Sequence, residues 1–244
     1  MKENPAADSI IALRDLRFAW PRGRDVLDVP LLQVARGERL FLQGPSGSGK
    51  STLLGLLGGV LIAQHGSIEV LGQSLQKLSG SARDRFRADH IGFVFQMFNL
   101  LPYLSLIENI TLPCRFSPTR AKRAQAHGGS LQDEATRLLR ELGLDAAALN
   151  QRSASEISVG QQQRVAVARA LIGAPEILIA DEPTSALDSD TRESFLKLLF
   201  EECTRVGTTL VFVSHDLSLA PLFSRTLKLD AINRAGTFAT AAAP

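Results

Sequence analysis

Cysteine is scarce in this 244-residue chain: Cys114 and Cys203 stand far apart, with no Cys/His cluster beside either. That excludes a disulfide framework and a zinc site, and leaves two structural thiols. An excess of charge of one sign is missing too, since 27 basic residues face 25 acidic ones for a formal charge of +2. No strong field recruits nucleic acid or an anionic surface, so no nucleic-acid partner is expected. Long apolar runs are also lacking. The strongest, Leu53 to Ala63, is interrupted by Gly55, Gly58 and Gly59 and falls well short of the roughly 20 residues of a spanning helix. The opening Met1-Lys2-Glu3-Asn4-Pro5 is polar where a secretory leader would turn apolar, so the cytosol is the expected compartment. Neither an internal repeat nor a heptad run is visible.

What is present is enough apolar material, 45% of the residues, to bury the core of one domain. Arg39–Gln43, Ile91–Phe95, Ile177–Ala180, Thr208–Val213 and Thr226–Leu229 read as short strands, several continuously apolar. Such runs suit a sheet buried on both faces. Leu131, Ala135, Leu138, Leu139 and Leu142 recur at helical spacing, as do Phe195, Leu198, Leu199 and Cys203 after Ser189. The expected fold class is therefore α/β. Pro102, Pro113, Pro118, the basic Arg120–Arg123 stretch and Gly128-Gly129-Ser130 mark a compositional shift from about 102 to 158, read as a mostly helical insert. Ala239–Pro244 reads as a frayed tail.

Gly44-Pro45-Ser46-Gly47-Ser48-Gly49-Lys50-Ser51 fits G-x-x-x-x-G-K-[ST], with an apolar strand before it and helical Thr52-Leu53-Leu54 after it. Glycine at 44, 47 and 49 lets backbone N–H groups and a helix N-terminus approach a polyphosphate. Lys50 adds charge at the β- and γ-phosphates, and Ser51 offers a hydroxyl to Mg²⁺. The expected ligand is a Mg-nucleotide.

Ile177-Leu178-Ile179-Ala180 runs into Asp181-Glu182. Open α/β sheets bind ligands at such strand ends. There Asp181 suits a metal, and Glu182 suits the polarisation of an attacking water. Taken alone, an acidic pair at this position also fits a helix cap or a solvated turn. Gln96 and His215 end two further apolar strands, the first with an amide oxygen for metal or water, the second with an imidazole for a phosphate oxygen.

Ser158-Val159-Gly160-Gln161 obeys the capping-box rule ahead of apolar Val165, Val167, Ala168 and Leu171. The box fits an ordinary well-capped helix and an anion-binding helix start equally well. Read together, Gly44–Ser51, Gln96, Ile157–Gln161, Ile177–Glu182, Ser185-Ala186-Leu187-Asp188 and His215 resemble, in order, the ATPase subunit of an ABC transporter, over roughly residues 10 to 230.

The resemblance implies a RecA-like P-loop core, mainly parallel with an antiparallel β part, plus a helical subdomain carrying the signature. It implies one nucleotide-binding domain, with core about 8–97 and 165–230, subdomain about 98–164 and tail 231–244. Under it, Gly44–Ser51 with Thr52 is the Walker A loop, Gln96 the Q-loop, and Ile157–Gln161 the signature. Asp181 and Glu182 end Walker B, Ser185–Asp188 is the D-loop, and His215 is the switch histidine. Two subunits would pair head to tail, so that Ser158, Gly160 and Gln161 of one, with Asp188, join the ATP and Mg²⁺ held at Lys50 of the other. Trp20 stands where the family stacks adenine, with Phe18 the competing aromatic and core packing the other reading.

Ile91–Pro102, Glu108–Pro113 and the triple glutamine within Ser158–Ala170 are similar to the lipoprotein-release, macrolide-efflux and cell-division branch. The branch implies a separate four-span permease with a large extracytoplasmic domain, a seat on the cytoplasmic face of the membrane, and export or periplasmic mechanical work. Met97, Phe98, Leu100, Leu101 and Tyr103 form an apolar cluster suited either to a partner's short helix or to core packing. Two positions depart from the family pattern: Ile157 replaces leucine, and Val159 replaces the first of two glycines. Hydrolysis is expected to persist at a reduced rate. The alternatives are a cytosolic ABC ATPase outside transport and a regulatory nucleotide binder that does not hydrolyse.

Overall fold

The computed structural model describes residues 9–145, 152–185, 187 and 189–235. They divide into two compact units, 9–83 with 215–235, and 84–214.

In the first unit, strands β1 (Ser9–Ala19), β2 (Asp25–Ala35), β4 (His65–Val70) and β5 (Gln73–Ser74) form an antiparallel sheet in the order β2-β1-β4-β5. β2 alternates buried and accessible positions, as a strand with one core face must. β1 does so less cleanly, because its pairing with β4 shifts register between Arg14 and Arg17, and Asp15 lies at φ 49. Opposite that bulge is Gly66 at φ 80, where an added Cβ would meet the Asp15 carbonyl oxygen at 2.3 Å. Only glycine allows this approach. The remaining strands, β3 (Arg39–Gln43) and β9 (Arg225–Lys228), pair in parallel. Helix α1 (Lys50–Leu57) follows β3 and buries Leu53, Leu54, Leu56 and Leu57.

The second unit is built on β6 (Ile91–Val94), β7 (Ile177–Asp181) and β8 (Thr209–Val213), parallel, with β7 in the middle. β8 is buried along its whole length and β7 up to Asp181, matching the expected continuous apolar runs. β6 stops one residue short of the expectation: Phe95 is 44% exposed and its carbonyl accepts the Phe98 N–H, so the chain has already turned.

Helices α3 (Leu106–Phe116), α4 (Pro118–Gly128) and α5 (Leu131–Glu141) make up the expected helical insert, each capped by a serine: Ser105, Ser117 and Ser130. α6 (Val159–Leu171) leads toward β7, and α7 (Ser189–Val206) toward β8. A further helix, α2 (Gly80–His90), spans the boundary of the units and buries none of its residues; a short α8 (Leu229–Ile232) follows β9.

α4 is tied to the end of α6 by Arg120. Its buried guanidinium donates to the carbonyls of Ala170 at 2.6 Å and Ile172 at 2.7 Å, where the helix presents unpaired carbonyls and the negative end of its dipole. Burial pushes the Arg120 pKa down to about 10. None of the helices among the described residues is long and apolar enough to cross a membrane.

Candidate functional site

In the first unit the loop between β3 and α1 is shaped by its glycines. Gly47 and Gly49 lie at φ 78 and 98, and Gly49 is the left-handed N-cap of α1. A Cβ on Gly49 would meet Leu27 Cδ2 at 3.0 Å, and one on Gly44 would meet Ser48 Oγ at 2.6 Å. The loop is therefore narrow where side chains would intrude, with Pro45, Ser46 and Gly47 facing outward.

Helix α1 has no side-chain cap and no acidic residue in its first turn, which leaves its leading N–H groups and positive dipole end to an anion. The Lys50 ammonium lies along the same loop, donating to the carbonyls of Gly44 at 2.7 Å and Pro45 at 2.8 Å. Ser48 Oγ and Gln43 Oε1 are buried with no hydrogen-bond partner among the described residues. Buried polar atoms of this kind are normally satisfied, so a polar ligand fits this loop. Ser51 is exposed and Thr52 half-buried at the start of α1.

Two further expected residues belong to this unit. Trp20 is 48% exposed and packs edge-on against Phe18 at 5.2 Å, while Phe18 is buried. The core consumes Phe18 and leaves Trp20 as the aromatic face on offer. His215 is exposed, just beyond the end of β8.

The second unit holds the carboxylates. In the parallel register Val94 stands beside Ala180, and Asp181 beside Val213. The chain after β6 and the chain after β7 therefore leave the sheet at one edge, carrying Gln96 and Glu182. Gln96 is exposed, while Asp181 and Glu182 are half-buried. Glu182 lies at φ 47 with its N–H on the Val213 carbonyl at 2.9 Å. A non-glycine residue in the left-handed region is uncommon and clusters at functional positions.

Ser158 caps α6 through the expected reciprocal box: its Oγ accepts from the Gln161 N–H at 3.3 Å, and its N–H donates to Gln161 Oε1 at 3.0 Å. Ser158 and Val159 are exposed, Gly160 is half-buried, and Ile157 is buried. Ala186 and Asp188 lie outside the described residues.

A strand, a phosphate-binding turn and a helix stand in one unit, and a strand ending in two carboxylates stands in the other with the capped α6. The family model described as ABC transporter matches residues 27–185. The chain belongs to the ABC transporter family. Its relatives place it in the LolD-like branch, as an ATP-binding and ATP-hydrolysing subunit of a transporter complex. This ABC ATPase is 40% identical to the uncharacterized ABC transporter ATP-binding protein YbbA of Escherichia coli K12, over 91% of this chain and 95% of that protein. It is 41% identical to the lipoprotein-releasing system ATP-binding protein LolD of Novosphingobium aromaticivorans, over 91% and 97%. Among solved structures, the ATP-binding cassette MJ0796, a dimer in a post-hydrolysis state bound to ADP and Pi, matches with a TM-score of 0.77 at 34% identity, over 89% of this chain and 93% of that one.

Some supporting residues of this ABC ATPase were not foreseen. Asn109 is fully buried; its Nδ2 donates to the carbonyls of Leu101, Leu104 and Ser105, and its Oδ1 accepts from the Leu101 N–H. Arg169 donates to the carbonyls of Phe98 and Asn99. Side chains that bond only to backbone carry no spacing signal. The capping boxes at Ser105/Glu108 and Ser153/Glu156, by contrast, obey the rule that exposed the one at Ser158.

Proposed function

We propose that this ABC ATPase powers export or periplasmic mechanical work through a separate four-span permease, seated on the cytoplasmic face of the membrane and acting as a head-to-tail pair. The two MJ0796 cassettes seen as a dimer support the pairing, and the lipoprotein-releasing LolD relative supports the branch. Gly44–Ser51 and Thr52 bind the phosphates, Lys50 carries the balancing charge, and Trp20 stacks on adenine. Ser158, Gly160, Gln161 and Asp188 act on the nucleotide of the partner subunit.

Ser51, Gln96 and Asp181 are oxygen donors, the set a Mg²⁺ ion prefers. When bound, Mg²⁺ neutralises charge on the phosphate oxygens. Glu182 takes a proton from the attacking water, and His215 donates to a γ-phosphate oxygen. Met97 and Tyr103, 81% and 78% exposed, offer apolar surface to the permease, whereas Phe98 is buried and serves the core.

The observation that carries this reading is the backbone of Glu182, held left-handed and bonded to the neighbouring strand immediately beyond Asp181. That backbone bond fixes where the carboxylate starts. Glu182→Gln keeps the shape and removes the base. Hydrolysis by the purified chain should fall at least about 100-fold, with Mg-ATP binding retained and an ATP-dependent dimer accumulating on a sizing column. Wild-type turnover in the variant would sink the assignment.

A further inference from the structure

The stretch after Gln96 is folded against its own preferences. Phe98 N–H bonds to the Phe95 carbonyl at 2.9 Å, and Asn99 N–H to the Met97 carbonyl at 2.6 Å. The second bond closes a three-residue turn around Phe98 at φ 58, and Asn99 follows at φ 49. γ-turns with a positive central φ are rare and strained, and two successive left-handed residues that are not glycine need outside support.

That support comes from α6. Arg169 Nη2 donates to the Phe98 carbonyl at 2.5 Å and Nη1 to the Asn99 carbonyl at 2.6 Å, one bond from each tip of the fork. Among the described residues the Arg169 guanidinium has no carboxylate partner, and burial lowers its pKa. Its service is therefore to hold the two carbonyls rather than to pair charge, and the planar two-pronged donor holds both in one fixed geometry. Asn109 pins the later part of the loop, from Leu101 to Ser105, and among the described residues the side-chain hydrogen bonds to the turn nearest Gln96 come from Arg169.

We propose that Arg169 is a positioning residue for hydrolysis: it brackets the strained turn that sets Gln96 and makes that turn and the helix beginning at Ser158 move as one piece. The helix that carries the signature at its start holds, three turns later, the loop that follows the Q-loop glutamine. Displacement at one end is then felt at the other without an intervening contact. The proposal rests on the assignment of Gln96 to metal and water, and its test separates the two.

The full chain is purified as wild type, Arg169→Ala, Arg169→Lys, Asn99→Gly, Gln96→Ala and the Arg169→Ala/Asn99→Gly double variant. Each is measured for Mg-ATP turnover and for amide hydrogen exchange. Arg169→Ala should lower kcat about tenfold with the ATP KM within about twofold of wild type, the mark of misplaced catalytic groups rather than lost binding. Exchange over 97–101 should rise at least about tenfold while 161–168 keeps its protection. Arg169→Lys, which keeps the charge but loses the planar fork and some reach, should fall between.

Asn99→Gly should restore much of the loss in the double variant, because glycine takes the left-handed conformation without a Cβ penalty. Unchanged exchange over 97–101, a loss of protection along the whole of α6, or failure of Asn99→Gly to restore turnover would each overturn the bracket. If Arg169→Ala does not fold, Arg169→Lys reads the same quantities. Gln96→Ala with normal kcat would remove the role of Gln96 while exchange over 97–101 still decides that of Arg169.

Discussion

Val159 and Gly160, neighbours in the first turn of α6, can be told apart by what each residue meets. A Cβ on Gly160 would lie 3.5 Å from Leu187 Cδ2, an ordinary contact, and its φ is not positive. Nothing described within this chain demands glycine there, in contrast to Gly44, Gly49 and Gly66. Under the proposed head-to-tail pairing, the demand for glycine would come from a nucleotide held by the second subunit. Val159 sits beside it, 49% exposed at the first position of α6, where its β-branched side chain flanks the N–H groups at the helix start. Val159→Gly should raise the turnover of Mg-ATP roughly three- to tenfold in a steady-state assay. It should leave the melting temperature within about two degrees of wild type, since glycine costs only a few tenths of a kcal/mol more than valine in a helix. Equal turnover in the two proteins would show that this position does not limit the rate.

The elements readable in the sequence are those whose physics is local. β3, β7 and β8 are continuous apolar runs because both faces are buried, and α5 shows its stripe because one face is. β1 escaped a period-of-two reading because the bulge at Asp15 puts two accessible residues together, and α2 escaped because it buries none of its side chains. The ties between elements escaped as well. Glu176, just ahead of β7, accepts from Arg123 of α4 at 2.7 Å and meets His90 Nδ1 of α2 at 3.0 Å. Burial raises its pKa, yet the hydrogen bonds from His90 and Arg123 outweigh this and bring it down to about 2. A carboxylate depressed on folding adds stability that is complete above its unfolded value of 4.5 and is lost as the pH falls from there toward about 2. The contribution is on the order of 3 kcal/mol. Urea titrations at pH 7 and pH 3 should show the wild type losing more stability between them than Glu176→Gln does. Parallel losses in the two proteins would mean that this triad carries none of the acid sensitivity.

On the scale of the molecule, the family was legible in its motifs, because phosphate chemistry forces residue types at fixed spacing, from Gly44–Ser51 through Asp181–Glu182. Their completeness was not, because one chain contributes Lys50 to one nucleotide and Ser158 to another if the pair is head to tail. Such an arrangement separates lesions by site. Lys50→Ala damages the site its own chain cradles, and Ser158→Arg damages the site its partner cradles. In a mixed dimer of the two variants both lesions fall on the same nucleotide, and the other site has an intact Lys50 and an intact Ser158. Each variant alone should be inactive. Mixed in equal amounts, half the dimers are hybrids with one good site in two, so activity should return toward about a quarter of the wild-type value. A site complete within one chain would give no such return, since each variant would carry its lesion into every dimer it joined. Turnover measured against mixing ratio should peak at equal amounts, and a flat line at the level of the separate variants would rule out the head-to-tail pair.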